Sequence, residues 1–150
     1  MGQHNQIRGK GNELLDKLWQ ITKDANGNDM IIGNIKVIHN PHQKRQNDLP
    51  IESNTSNAYF KADAQKNVIQ LRVYDELTHK AMMDIDFVDG HKNKKTGEVF
   101  PAGVAHVQEF KMKNGVPVRN SKNARLLTDA EIAKWGDVIR LANPNVKFKS

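Results

Sequence analysis

His106 and Glu109 lie on a strand-like run in the second half of the chain, and both side chains can move protons. RNA cleavage by internal attack of the 2′-hydroxyl needs a general base, a general acid and a cation that stabilises the phosphorane. His106 and Glu109 fit the acid and base roles, with Arg72 as the cation and His79 as a further acid–base group. These four residues form our candidate catalytic set, and the chemistry requires no metal ion.

Strand alternation divides this catalytic set. Side chains two residues apart in a strand share a face, so His106 and Glu109 point to opposite faces unless a bulge intervenes. Two constellations therefore compete. One consists of His106 and Arg72, and the other of Glu109, Lys111 and an aspartate.

The second constellation would be a metal-dependent nuclease site. Glu109 and Lys111 form a Glu-x-Lys pair on one face, and Asp84 and Asp86 lie on the preceding strand-like run. Carboxylate oxygens suit Mg²⁺, and a lysine can activate water or steady a phosphate. The layout resembles that of restriction-endonuclease-like nucleases, although no proline precedes either aspartate. Asp84, Asp86 and Glu109 are the alternative metal ligands.

A third possible site is a metal centre that combines histidines with aspartates. Its ligands would be Asp86, Asp89, His91 and His106.

The segment from 88 to 125 is strongly basic. It holds eight Lys/Arg against three Asp/Glu, which is +5 of the formal net charge of +6 of the chain. Acidic groups surrounded by basic residues indicate a protein that acts on a polyanion, most simply nucleic acid. The residues expected to hold phosphates or stack on bases are Lys92, Lys94, Lys95, Lys111, Arg119, Arg125 and Tyr74.

Several short elements must position these residues. Apolar spacing predicts a helix over 12–23, and β-rich runs predict strands at 30–38, 58–61, 68–74, 81–87 and 104–112. Asn114-Gly115 predicts a tight turn, and Val116-Pro117-Val118 can form only an edge segment. Thr128 and Glu131 fit a capping box that begins a C-terminal helix, which Asn143-Pro144 ends.

Helices do not alternate with strands, so a parallel doubly wound sheet is not expected. We predict an α+β fold, with a mostly antiparallel sheet of four to five strands and an N-terminal and a C-terminal helix. We expect residues 1–10 to be a disordered polar head and 11–150 to form a single α+β domain.

Composition excludes some classes of protein. The chain has no cysteine, so neither a disulfide framework nor thiolate metal ligation is expected. No apolar run approaches the roughly 20 residues that span a bilayer. The first residues show no signal-peptide core. The chain therefore either stays where it is made or was cut from a larger protein.

The pattern is similar to the C-terminal toxin modules of bacterial polymorphic and contact-dependent inhibition toxins. The residues that carry this resemblance are Asp84-x-Asp86, Gly90-His91, the lysine-rich loop and His106-Val-Gln-Glu109-Phe. The order of elements also resembles the barnase/EndoU/colicin/RelE group of ribonucleases. The resemblance implies metal-independent cleavage of RNA, commonly tRNA, and inhibition by an acidic immunity protein. It also implies delivery within a larger secreted protein and action in the bacterial cytoplasm.

Two other readings stay open. One is a Mg²⁺-dependent nuclease that uses Asp86, Glu109 and Lys111. The other is a nucleic-acid-binding or phage-structural module without catalytic activity, in which the basic segment only holds phosphates.

Overall fold

The structure is a computed structural model, and it describes residues 19–40, 57–93, 95–120 and 123–149. The described residues contain eleven strands and one helix. The strands are β1 (Gln20–Ile21), β2 (Ile31–Ile32), β3 (Ile35–His39), β4 (Ala58–Ala62), β5 (Val68–Tyr74), β6 (Ala81–Asp86), β7 (His91–Lys92), β8 (Val99–Phe100), β9 (His106–Lys113), β10 (Val116–Arg119) and β11 (Arg125–Leu126), and the helix is α1 (Asp129–Ala142).

Nine of these strands form one mixed sheet in the order β1-β3-β4-β5-β6-β9-β10, with β2 also paired to β3 and β11 to β9. The pair β3–β4 is parallel and the other pairs are antiparallel. The remaining strands, β7 and β8, pair only with each other. No helix within the described ranges has the length and apolar character needed to cross a bilayer.

The predicted fold class was wrong. The molecule is mostly sheet, with nine strands in the main sheet rather than four to five, and the helix in the described part of the chain is C-terminal. Of the helix predicted over 12–23, residues 12–18 lie outside the described residues, and Gln20–Ile21 form β1. Gln20 pairs with His39, so a distant partner decides this conformation rather than local apolar spacing.

The main core lies between one face of the sheet and α1. Leu71, Val73, Ile85 and Val107 are buried there, and the helix contributes the buried Ile139. Thr128 caps the helix as predicted, because its side chain accepts from the Glu131 backbone N–H while the Glu131 carboxylate accepts from the Thr128 backbone N–H. We call this side of the sheet the helix face.

Two tight turns shape the sheet. Gly33-Asn34 joins β2 to β3, and Asn114-Gly115 joins β9 to β10, with all four residues at positive φ. Such two-residue turns match the twist of antiparallel strands. The second turn and the edge strand β10 confirm the prediction for 114–118.

The opposite side of the sheet is also buried, so Arg72 is not placed to act as the exposed cation expected from the sequence. It buries aromatic residues, including Tyr59 and Tyr74, together with charged ones. Arg72 and Asp84 have no exposed surface at all. We call this side the polar face, and its charged groups must therefore satisfy one another.

Candidate active site

Strand register brings the polar face together in two cross-strand rows. Gln70, Asp86 and His106 are consecutive partners across β5, β6 and β9, and Arg72, Asp84 and Gln108 form the neighbouring row. His91 from β7 and Arg119 from β10 join them through the side-chain contacts described below. We call these eight residues the polar cluster: Gln70, Arg72, Asp84, Asp86, His91, His106, Gln108 and Arg119.

Arg72 and Asp84 form the centre of the polar cluster. The Nε and Nη2 atoms of Arg72 donate to the two carboxylate oxygens of Asp84, at 2.6 and 2.9 Å. The guanidinium also lies 4.7 Å from the ring centroid of Phe110. Because both charged groups are fully buried, neither presents a face to a substrate.

Arg119 is the more accessible arginine. Its Nη1 atom donates to Oδ2 of Asp84 at 3.1 Å, and about a third of its side chain, 30%, is exposed. Asp84 therefore accepts from both arginines, Arg72 and Arg119. An anchored and partly exposed guanidinium is well suited to meet a phosphate.

Asp86 is the acidic residue of the cluster that reaches solvent, with 17% of its side chain exposed. Burial is the strongest influence on its pKa and raises it, while the hydrogen bond from Gln70 Nε2 to Oδ1, 2.5 Å long, opposes the rise. The charge of Asp84 raises the pKa further. Its environment therefore makes the carboxylate of Asp86 more basic than that of an ordinary aspartate.

His106 lies behind Asp86 and is only 1% exposed. Its Nδ1 is 3.0 Å from the carbonyl oxygen of Val104, which can only accept, so Nδ1 carries a hydrogen. Its Nε2 lies 3.7 Å from Oδ2 of Asp86. The Val104 carbonyl thus orients the imidazole so that its second nitrogen faces the carboxylate.

His91 joins the polar cluster, although the sequence placed it outside the candidate catalytic set, as a possible metal ligand and as part of the Gly90-His91 pair. Its ring stacks on His106 at 5.9 Å between centroids, and Phe100 of the paired strand stacks on His106 at 5.3 Å. Nδ1 of His91 lies 3.5 Å from Nε2 of Gln108. His91 is half-buried, so the short hairpin β7–β8 brings a second imidazole to the edge of the cluster.

Gly90 is the sequence signal that could have located His91. A Cβ atom at this position would lie 2.8 Å from the carbonyl oxygen of Phe100, closer than real Cβ contacts. Only glycine allows this approach. Gly90 therefore lets β7 and β8 pack where His91 and Phe100 reach His106.

The structure separates the two constellations that the sequence left open. Glu109 and Lys111 lie on the helix face, as alternation predicts, whereas Asp84 and Asp86 lie on the polar face with His106. Glu109 contacts Arg125 at 3.3 Å, and Arg125 binds Glu131 at 2.8 Å. The hydrogen bond to Glu131 is the main cause that raises the pKa of Arg125. The alternative metal ligands are thus divided between opposite faces.

The other predicted site residues are dispersed. His79 lies exposed in the turn between β5 and β6, at the opposite end of β6 from Asp86. Tyr74 is buried, and burial raises the pKa of its hydroxyl. Lys92 and Lys95 are exposed beside the β7–β8 hairpin, and Lys94 lies outside the described residues.

Within the described parts of the chain, no group of three or more His, Asp or Glu side chains is placed to hold a metal ion. No protein-family model, curated protein or solved structure matches the chain. A functional assignment therefore has to come from the polar cluster itself.

Proposed function

We infer that this chain is a ribonuclease that cleaves RNA by acid–base catalysis without a metal ion. The observation that carries the proposal is the Asp86–His106 pair. A partly exposed carboxyl with a raised pKa lies beside an imidazole of defined orientation, and an anchored guanidinium lies near. Together with the half-buried His91, this combination would supply the base, acid and cation that internal attack by a 2′-hydroxyl needs.

The proposal gives the residues roles that differ from those expected from the sequence. Asp86 would touch the substrate, since His106 is buried behind it, and its carboxylate would accept the proton of the 2′-hydroxyl. His106 would be a positioning residue that shares this proton through Nε2. The half-buried His91 would donate a proton to the leaving 5′-oxygen.

Arg119 would stabilise the phosphorane. Arg72, the cation expected from the sequence, is fully buried against Asp84, and Lys111 lies on the helix face. Arg119 is on the polar face and partly exposed. Lys92 and Lys95 would hold neighbouring phosphates of the RNA as exposed cations.

The experiment is incubation of the full chain with tRNA, bulk RNA and DNA, with and without EDTA, followed by analysis of the product ends. Internal attack leaves a 2′,3′-cyclic phosphate and a 5′-hydroxyl, and it survives EDTA. A metal-dependent nuclease would lose activity in EDTA and would also cleave without the 2′-hydroxyl. Asp86→Asn is the test variant, and Asp89→Asn, which removes one charge from an exposed position, is its matched control.

A toxin role is part of the same proposal. The chain has a formal net charge of +6, which would favour both RNA and an acidic immunity protein. Expression in the bacterial cytoplasm should arrest growth, and the Asp86→Asn variant should not. A small acidic reading frame beside the gene would encode the protein to test for inhibition.

The second candidate is a nucleic-acid-binding module without turnover. The burial of Arg72, Asp84 and His106 favours it, since a fully buried polar network can serve structure alone. It predicts binding that weakens steeply with salt, and intact RNA and DNA with and without divalent metal.

A further inference from the structure

Two adjoining surfaces on the helix face have no part in the proposed ribonuclease site. The first is a groove beside α1, formed by a cavity of about 460 Å³ and a second of about 270 Å³. The two cavities share Met82, Lys134 and Trp135, so they are parts of one surface. We call it the acidic groove.

The acidic groove combines apolar walls with negative charge. Its walls include the exposed side chains of Leu77 and Met82 beside Trp135. Its described lining residues include four acidic and two basic ones, in a chain whose formal net charge is +6. These charged residues are Asp75, Glu76, Glu109, Glu131, Arg125 and Lys134. The groove is therefore suited to a partner that is apolar and basic.

The second surface has the complementary character. Lys111 and Lys113 on β9 face the same side as their cross-strand partners Val118 and Val116 on β10. Val116 is 47% exposed and Val118 is 45% exposed. We call these four residues the basic hairpin face. These exposed valines lie beside lysines. A partner surface that is apolar and also carries carboxylates would therefore complement both.

The two surfaces lie side by side on one molecule. Glu109 lines the groove, and Lys111 follows it on the same face of β9. The Nζ atom of Lys80, which follows the 75–79 turn at the groove, donates to the carbonyl oxygen of Gly115 in the hairpin turn at 2.6 Å. Neighbouring complementary surfaces can meet their counterparts reciprocally around a two-fold axis.

We propose that the chain forms a two-fold homodimer in which the basic hairpin face of each copy docks in the acidic groove of the other. The reciprocal arrangement buries the exposed valines of β10 against Leu77 and Met82 of the second copy. It also places Lys111 near Glu76, whose exposed carboxylate lies 4.0 Å from Lys134 in its own copy and can accept a second cation. The polar face lies on the other side of the sheet, so both copies keep that face directed outwards.

The test is sedimentation velocity of the full chain from about 1 to 200 μM, a range that brackets micromolar association. We expect a concentration-dependent shift from a monomer of 17.0 kDa to a dimer of twice that mass. The dimer should weaken as salt is raised, because its charged contacts are near solvent.

A charge swap tests the interface itself. Lys111→Glu alone and Glu76→Lys alone each create two like-charge contacts in a symmetric dimer, and each should weaken association on the order of tenfold or more. An equimolar mixture of the two variants restores both contacts in a heterodimer. The mixture should therefore dimerise while neither variant does so alone. Lys92→Glu, which alters an exposed lysine on β7, is the matched control and should dimerise as the unaltered chain does.

Three outcomes would overturn the proposal. A monomer at every concentration rules out the dimer, and equal dimerisation of both single variants places the interface elsewhere. Species larger than a dimer show open-ended contacts instead of reciprocal ones. None of these measurements involves RNA cleavage, so a failed ribonuclease assay leaves the result unaffected.

Discussion

His106 and Asp86 are direct cross-strand partners on β9 and β6, with Nε2 of the imidazole 3.7 Å from Oδ2 of the carboxylate. Strand pairing holds the two backbones, the Val104 carbonyl orients the imidazole, and Gln70 holds the carboxylate. The pair is thus fixed from three sides and reaches solvent through Asp86. Such preorganisation is what an acid–base site requires.

Asp86→Asn should lower the rate of RNA cleavage by about 100-fold or more, the usual contribution of a positioned acid–base group. Asparagine keeps the shape, and its carbonyl oxygen can still accept from Gln70, so the fold should be retained. Cleavage of tRNA and circular dichroism measure the two effects. The control Asp89→Asn should retain full activity, and a folded Asp86→Asn protein that cleaves normally would rule out this site.

His106→Asn should change the pH dependence of cleavage as well as its rate. The Nδ2 group of asparagine can take the place of Nδ1 and donate to Val104, while the nitrogen that faces Asp86 is lost. Asp86 then no longer shares a proton with an imidazole. One limb of the bell-shaped pH–rate profile should therefore be displaced or lost. A uniform drop at every pH would assign His106 a purely structural role.

The carboxylate of Asp86 should lower the free energy of unfolding at neutral pH. Its pKa in the folded state is raised above the ordinary value of 3.8, so the folded protein binds more protons than the unfolded chain between these two pKa values. This difference in bound protons makes the free energy of unfolding fall as pH rises through that interval. Asp86→Asn should therefore be more stable than the unaltered chain above the folded pKa. Urea unfolding of both proteins between about pH 4 and pH 8 measures the difference. A variant that is less stable at neutral pH would contradict the prediction.

The Arg72–Asp84 pair should be sensitive to the loss of either partner. Arg72→Met removes one partner and two hydrogen bonds from the fully buried carboxylate of Asp84, and it should cost about 3–5 kcal/mol of unfolding free energy. Arg72→Met combined with Asp84→Leu removes both charges of the pair and should recover much of that loss, because Arg119, which then loses its contact with Asp84, is partly exposed to solvent. Equal stability of the single and double variants in urea would show that the buried charge is satisfied in another way.

Local signals predicted part of the fold well. The capping box of Thr128 and Glu131 and the turn at Asn114-Gly115 each depend on neighbouring residues, and both are present in the structure. Alternation along β9 also separated His106 from Glu109 correctly. The cap, the turn and the alternation depend on residues close together in the chain, so the sequence alone was enough to predict them.

Long-range pairing accounts for what the sequence did not reveal. Gln20 and Ile21 are strand residues because β3 lies beside them, and their apolar spacing also suits a helix. Arg72 can be buried because Asp84, its cross-strand partner on β6, neutralises its charge. The charge of Arg72 alone indicated an exposed side chain, because the sequence does not show this partner. His91 joins the site because a short hairpin folds over the sheet, and periodicity carries no signal for such a contact.

Gly33→Ala should destabilise the protein more than Gly97→Ala, although both glycines have positive φ. A Cβ at Gly97 meets nothing within 4 Å, so the expected cost is the backbone term of about 1–2 kcal/mol. At Gly33 a Cβ would lie 2.5 Å from Cγ2 of Val138, whose β-branched side chain has little rotamer freedom in α1. Overpacking should add about 1–3 kcal/mol there. Urea unfolding of the two variants isolates the contact between the β2–β3 turn and α1, and equal losses would show that the turn does not press on the helix.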